Sequence, residues 1–211
     1  MWWREIIALG ERFAAAVPGP QGSIDPSAVI EPGATLDGSR GPIVIGAGVR
    51  VCAGAVIRGP AFIDNDTLIG NQALLRGPVI IGAGVRVGFA AEIKNALIAD
   101  RVSIGPMCFV ADSKVDADAY LGALVRTSNQ RLDRAGITVA HGGAYIPSGT
   151  DRLGCWIGAG ASLGIQVIVL PGRTIAPGAL FEPRITVTRN LPAGHYRVRQ
   201  ALETLTPKGV S

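Results

Sequence analysis

The chain is short of several things. Aromatic residues make up 5% of 211 residues, and there are two histidines and three cysteines. So few aromatics argue against the mixed core of an ordinary α/β or α+β domain. Two histidines are too few for a three-histidine zinc site. Cys52, Cys108 and Cys155 show no CxxC spacing, and an odd count fits free, packed thiols in a reducing compartment, so a cytoplasmic location is expected. The opening MWWREIIALGERF is interrupted by Arg4, Glu5, Glu11 and Arg12, which excludes a signal peptide and a membrane span. Lysine occurs only at Lys94, Lys114 and Lys208, and the net charge is +4. A mild, scattered positive balance suits an anionic small molecule and argues against nucleic acid.

Small aliphatic residues and turn formers fill the space instead: 48% of residues are apolar, with 29 glycines and 14 prolines. One stretch, LLRGPVIIGAGVRVG (74–88), repeats pieces of its neighbours, and Arg-Gly-Pro falls at Arg40, Arg58 and Arg76, eighteen residues apart each time. The finer period is six. Aliphatic residues stand at Ile45, Val51, Ile57, Ile63, Ile69, Leu75, Ile81, Val87 and Ile93, and again at Ile157, Leu163, Val169, Ile175, Phe181 and Val187. Two places before each residue of the first run sits a small or β-branched one, such as Val49, Ala55, Thr67 or Ala73. Neither a helical nor a plain alternating period gives this pattern. Three short flat faces per coil do, each with one large and one small residue inward and glycine or proline at the corners. The sequence therefore predicts an all-β chain wound as a hexapeptide-repeat parallel β-helix. Fifteen matching positions disfavour a β-sandwich with regular turns.

The remaining segments punctuate this coil. Trp3, Ile6, Ile7, Phe13 and Val17 have helical spacing, so residues 1–20 are expected to form a cap helix over an open coil end. Residues 21–193 form the β-helix domain, opened by an offset coil at Ile24, Ile30 and Leu36. The period stumbles near Ala96–Val115, where spacings of five appear, and breaks at about 127–152, an excursion loop of the kind on which sites are built. Residues 194–211 are a tail, with a short helix over 194–205. Counting eighteen on from Arg76 reaches Lys94, so the positive column reads Arg40, Arg58, Arg76, Lys94. Stacked strands lie about 4.8 Å apart; the column reads either as a solvated ridge of corner residues or as a seat where an anionic ligand at Arg76 and Lys94 would relieve the repulsion.

The stretch IRGPAFIDNDTLIGNQALLRGPVIIGAGVRVGFAAEIKN, then FVADS, LGALVRTSNQRLD and SGTDRLG, resembles the acetyltransferase half of bifunctional sugar-1-phosphate nucleotidylyltransferases, of GlmU type and their archaeal relatives. The resemblance covers nearly the whole chain. It implies a left-handed coil, a homotrimer with sites between neighbouring β-helices, and acetyl-CoA or another acyl-CoA as donor to an amino sugar phosphate or nucleotide-linked sugar. It matches Arg76 and Lys94 to sugar-phosphate contacts and Asn129 to a substrate contact in the excursion loop. Ala123, Ala159 and Pro177 match the lining of the CoA groove, and Arg189 or Arg197 would meet its phosphates.

The departures from that family are specific. In GPMCFVADS (105–113), Pro106 takes the place of the catalytic histidine and Phe109 that of a tyrosine; Tyr120 replaces an asparagine of the acetyl site. GALV at Gly122–Val125 makes the thioester end of the groove bulkier, and no glycine-rich nucleotidylyltransferase segment precedes the helix, so no such activity is expected. Attack of an amine on a thioester needs a base, and proline is none. The remaining candidates are His141, in the excursion loop, and Asp112, acting with a water; His195 is expected to be structural and Cys108 too buried to be a nucleophile. The two readings are an acyltransferase with a rewired base, or a catalytically silent trimer that binds a sugar phosphate, a nucleotide or a partner. A γ-type carbonic anhydrase is set aside for want of histidines, and no metal is expected.

Overall fold

The computed structural model describes residues 1–17 and 22–199. Short strands stack in parallel into a β-helix of about ten turns. All fifteen large ladder positions and the small ones before them point inward and are buried, from Ile45 to Val187. The one polar member, Thr67, donates its hydroxyl to the Gly82 carbonyl (2.9 Å), which removes the cost of burying it. Each coil has three faces. Corner glycines let coils stack closely: a Cβ on Gly105 would lie 2.7 Å from the Ala123 nitrogen of the next coil.

Coil length varies along the chain. The first coil runs at twenty-one residues, since Ser23 pairs with Val44 and Asp37 with Arg58. The next ones run at eighteen, as in Ile43 with Ala61 and Leu68 with Arg86. From Val79 to Arg126 they run at seventeen, with a bulge between Lys94 and Ala96, and after the excursion they return to eighteen. The shorter step is the expected stumble, and its cause is one missing residue per coil. Between Tyr120 and Ser162 the step is forty-two, because the chain leaves the coil after Thr127 and returns near Gly154. That excursion carries an antiparallel hairpin, Thr138–His141 with Ala144–Pro147.

Three expectations are corrected. Residues 2–16 form two helices, α1 (Trp2–Ile7) and α2 (Leu9–Ala16), and they lie along a flank instead of capping an end. The flank explains this: its outward column reads Val44, Phe62, Ile80, Leu97, which is apolar surface that needs a cover. Trp2, Trp3 and Ile6 of α1 further pack with Ile137, Val139 and Leu153 of the excursion, so the helix joins loop to coil. Second, Arg40 is not in the positive column. Three extra residues in the first coil bring Asp37 beneath Arg58 and leave Arg40 exposed in the turn beyond it. Third, the expected helix at 194–205 is a strand at His195–Tyr196, which adds to the coil beside Leu180–Phe181; residues 200–205 lie outside the described residues. No described helix is long and apolar enough to cross a membrane.

Candidate functional site

The bulged strand Glu92–Ile98 crosses a corner of the coil, and chemistry gathers there. Arg58, Arg76 and Lys94 stand in register, as expected. Their repulsion is relieved from within. Arg76 Nε donates to the Glu92 carboxylate (2.7 Å), and Lys94 Nζ lies 3.3 Å from Asp112 Oδ2. Both cations keep unused donors, and their side chains are 41% and 24% exposed, so an anion can still reach them. Glu92 went unnoticed in the sequence because the fold, not the spacing, sets it against Arg76.

Asp112 is the centre of this corner. Its side chain is only 5% exposed. Besides Lys94 it accepts from Asn95 Nδ2 (2.7 Å) and Asn129 Nδ2 (2.5 Å). Asn129, expected to contact a substrate, is tied here to Asp112, and Asn95 was missed. Phe109 is half-buried on the adjoining face, in register with Glu92 and Arg126. An open cavity of about 460 Å³ runs there between Ala90, Glu92, Met107, Cys108, Phe109 and Arg126. Arg126, a further residue that sequence reasoning missed, also faces a second groove with Leu124, Gln166 and Arg184.

The other candidates lie apart from this corner within one chain. Pro106 and Ala123 share a corner column with Phe89 and Ile165, each held by a backbone bond to the next coil. Ala159 and Pro177 sit in the column of a different corner, with Ala117. Tyr120, half exposed, belongs to the nine-stranded sheet, between Ser103 and Ser162. Arg189 and Arg197 are exposed. His141 ends its hairpin strand with its ring edge-on to Trp3 (centroids 5.7 Å apart), lining a cavity with α1, Lys114 and Trp156. His195 pairs with Glu182 (3.0 Å) on the coil surface. Burial pushes the Cys108 thiol up to about 11 and Cys155 to about 12, so both stay protonated at neutral pH, as expected of poor nucleophiles. Among the described residues no group of His, Cys, Asp and Glu is arranged to hold a metal.

No protein-family model matches the chain. It is 53% identical over 167 residues to the uncharacterized acetyltransferase YaiX of Escherichia coli O6:K15:H31 (strain 536 / UPEC), covering 79% of this chain and 73% of that protein. The chain belongs to the hexapeptide-repeat acetyltransferases. More distant is the bifunctional sugar-1-phosphate nucleotidylyltransferase/acetyltransferase of Sulfurisphaera tokodaii, 30% identical over 74% of this acetyltransferase and 39% of that protein. Among solved structures, the UDP-N-acetylglucosamine acyltransferase from Campylobacter jejuni aligns over 78% of the acetyltransferase chain and 69% of its own, at 20% identity and a TM-score of 0.39. PerB from Caulobacter crescentus, in complex with CoA and GDP-perosamine, aligns over 89% of this chain and 58% of its own, at 20% identity and a TM-score of 0.28.

Proposed function

We propose that this acetyltransferase moves an acetyl or other acyl group from an acyl-CoA to the amine of a sugar phosphate or nucleotide-linked sugar. The observation that carries the acceptor is the pair Arg76 and Lys94. They are adjacent in register, each with donors to spare, beside a cavity bounded by Phe109. In that reading the two cations hold the acceptor's phosphate and Asn129 a hydroxyl, with Tyr120 brought in at the acetyl end by a neighbouring copy. The donor lies along the Ala123 corner, and Ala159 and Pro177 line its groove from the neighbouring copy, with Arg189 near its phosphates.

A trimer follows from the same reading, since Ala123, Ala159 and Tyr120 belong to different faces and corners of one chain. Phe89, Met107, Ile165, Ile168 and Leu180 are each 37–54% exposed around the Pro106 corner, an apolar stripe suited to burial against another copy. Light scattering at micromolar concentration should give about 65 kDa, three times 21.8 kDa. A monomeric mass would remove the basis for a shared site.

In the transfer the amine nitrogen bonds to the thioester carbonyl carbon, the C–S bond breaks and the CoA thiolate leaves. The amine gives up one proton to a base. His141 takes that proton in this proposal, supplied by a neighbouring copy's exposed hairpin tip, and Asp112 acts on the site through a water or through the groups it holds. The second reading, a silent binder, is favoured by Pro106 and by the near-complete burial of the Asp112 carboxylate. Thiol release from acetyl-CoA, followed with a panel of amino sugar phosphates and nucleotide-linked amino sugars, separates the two. Turnover lost in His141→Asn supports the enzyme. Binding of the same acceptors without thiol release supports the silent form.

A further inference from the structure

We infer that Asp112, backed by Asn95, is a positioning residue that latches the excursion loop to the cationic column and so sets Lys94 and Asn129 for an anionic acceptor. The inference rests on the acceptor reading above. A carboxylate has about four lone-pair sites. Three are taken, by Lys94, Asn95 and Asn129. What remains is a side chain with 5% exposure and little room for a substrate proton. Its partners come from separate parts of the chain: Lys94 and Asn95 from the bulged strand, Asn129 from the outgoing end of the excursion.

The backbone of Asp112 closes the same latch. Its N–H donates to the Lys94 carbonyl (2.9 Å), and its carbonyl accepts from Gly154, where the excursion returns (2.8 Å). Leu153 N–H bonds the Asn129 carbonyl (3.0 Å), so outgoing and returning strands meet beside one carboxylate. Asp112 adopts φ +48°, a left-handed value that aspartate and asparagine tolerate better than most residues. The charge, though, is specific to aspartate. An amide there would present an NH₂ to Lys94, which only donates, or to Asn95 or Asn129, which donate in the observed arrangement and would have to flip to accept.

The test compares Asp112→Asn, Asn95→Ala, Asn129→Ala and the double variant Asp112→Asn/Asn129→Ala in steady-state kinetics and by hydrogen exchange. Asp112→Asn should raise the acceptor KM by about tenfold or more while the acyl-CoA KM moves by less than about twofold. Asn95→Ala should do the same more weakly. The double variant should fall short of the product of its two singles, as for residues in one network. Exchange of the amides at 128–133 should quicken in Asp112→Asn while those at 61–63 in the regular coil stay protected. Donor and acceptor KM values rising together, or singles that multiply, would overturn the latch. So would a kcat loss at constant KM that removes one limb of the pH profile, which would make Asp112 the base. If the unaltered protein neither binds nor turns over any acceptor, the proposed function fails by itself. Exchange then decides the latch alone: unchanged protection at 128–133 would sink it.

Discussion

The coils up to Ile81 and those beyond it are built from the same six-residue faces, yet they do different things. In the earlier part the step is eighteen after the first turn, corners stack on like corners, and charges such as Arg50 and Glu31 form exposed pairs between neighbouring coils. In the later part the step is seventeen, then forty-two, before it returns to eighteen, and side chains from a bulge, a corner and a loop meet at Asp112. A uniform coil can only place each residue over its own kind. Breaking the count lets unlike groups converge, and the candidate site sits where the count breaks.

The largest effect expected is in the regular part. Leu75 is fully buried there, and Leu75→Ala should cost about 2–5 kcal/mol in denaturant unfolding. A loss below that range would mean the early coils are less tightly packed than their burial implies. Next comes the column. Arg76→Ala and Lys94→Ala should each weaken calorimetric binding of a sugar phosphate by about 1.5–3 kcal/mol with little loss of fold. Arg58, in the same register but a coil further from the bulge, should matter much less. Equal effects at all three would erase the contrast and leave a solvated ridge.

A smaller effect concerns the helices that join loop to coil. Burial raises the Glu5 carboxyl, but the pairs with Lys114 and Arg12 outweigh it and leave its pKa below the ordinary value. A depressed carboxylate stabilises the folded form above its unfolded pKa, about 4.3, and that contribution is lost as pH falls through the folded value. Tryptophan fluorescence should therefore report loosening of α1 at acid pH before the coil unfolds, and Glu5→Gln should abolish that early change. Loosening at the same pH in both proteins would break the link. The smallest effect is at Arg40, displaced from the column by the long first coil. Arg40→Ala should change neither binding nor midpoint beyond about 0.5 kcal/mol.

The ladder was legible because inward positions obey a strict period that any one-residue slip would expose. The stumble and the excursion were legible for the same reason, as failures of that period. What the sequence hid were contacts between non-equivalent positions. Glu92 with Arg76, and Asn95 with Asp112, depend on the bulge and on which corner follows which. The flank position of α1 and α2 was hidden too. Phe62, Ile80 and Leu97 lie beside inward ladder residues, and only the register shows that they point outward and need a cover. The sequence placed His141 in the excursion loop, and its contact with Trp3 was hidden too.

The forty-two-residue step also bears on how the chain folds. Every other pairing between coils closes a loop of fifteen to twenty-one residues, so each new coil adds to the last at nearly constant entropic cost. Closing forty-two costs about 0.7 kcal/mol more than closing eighteen. Assembly of such a stack is a sum of neighbour steps, and one slower step divides it. The coils before Thr127 and those after Gly154 are therefore expected to zip up as two units, joined across the excursion.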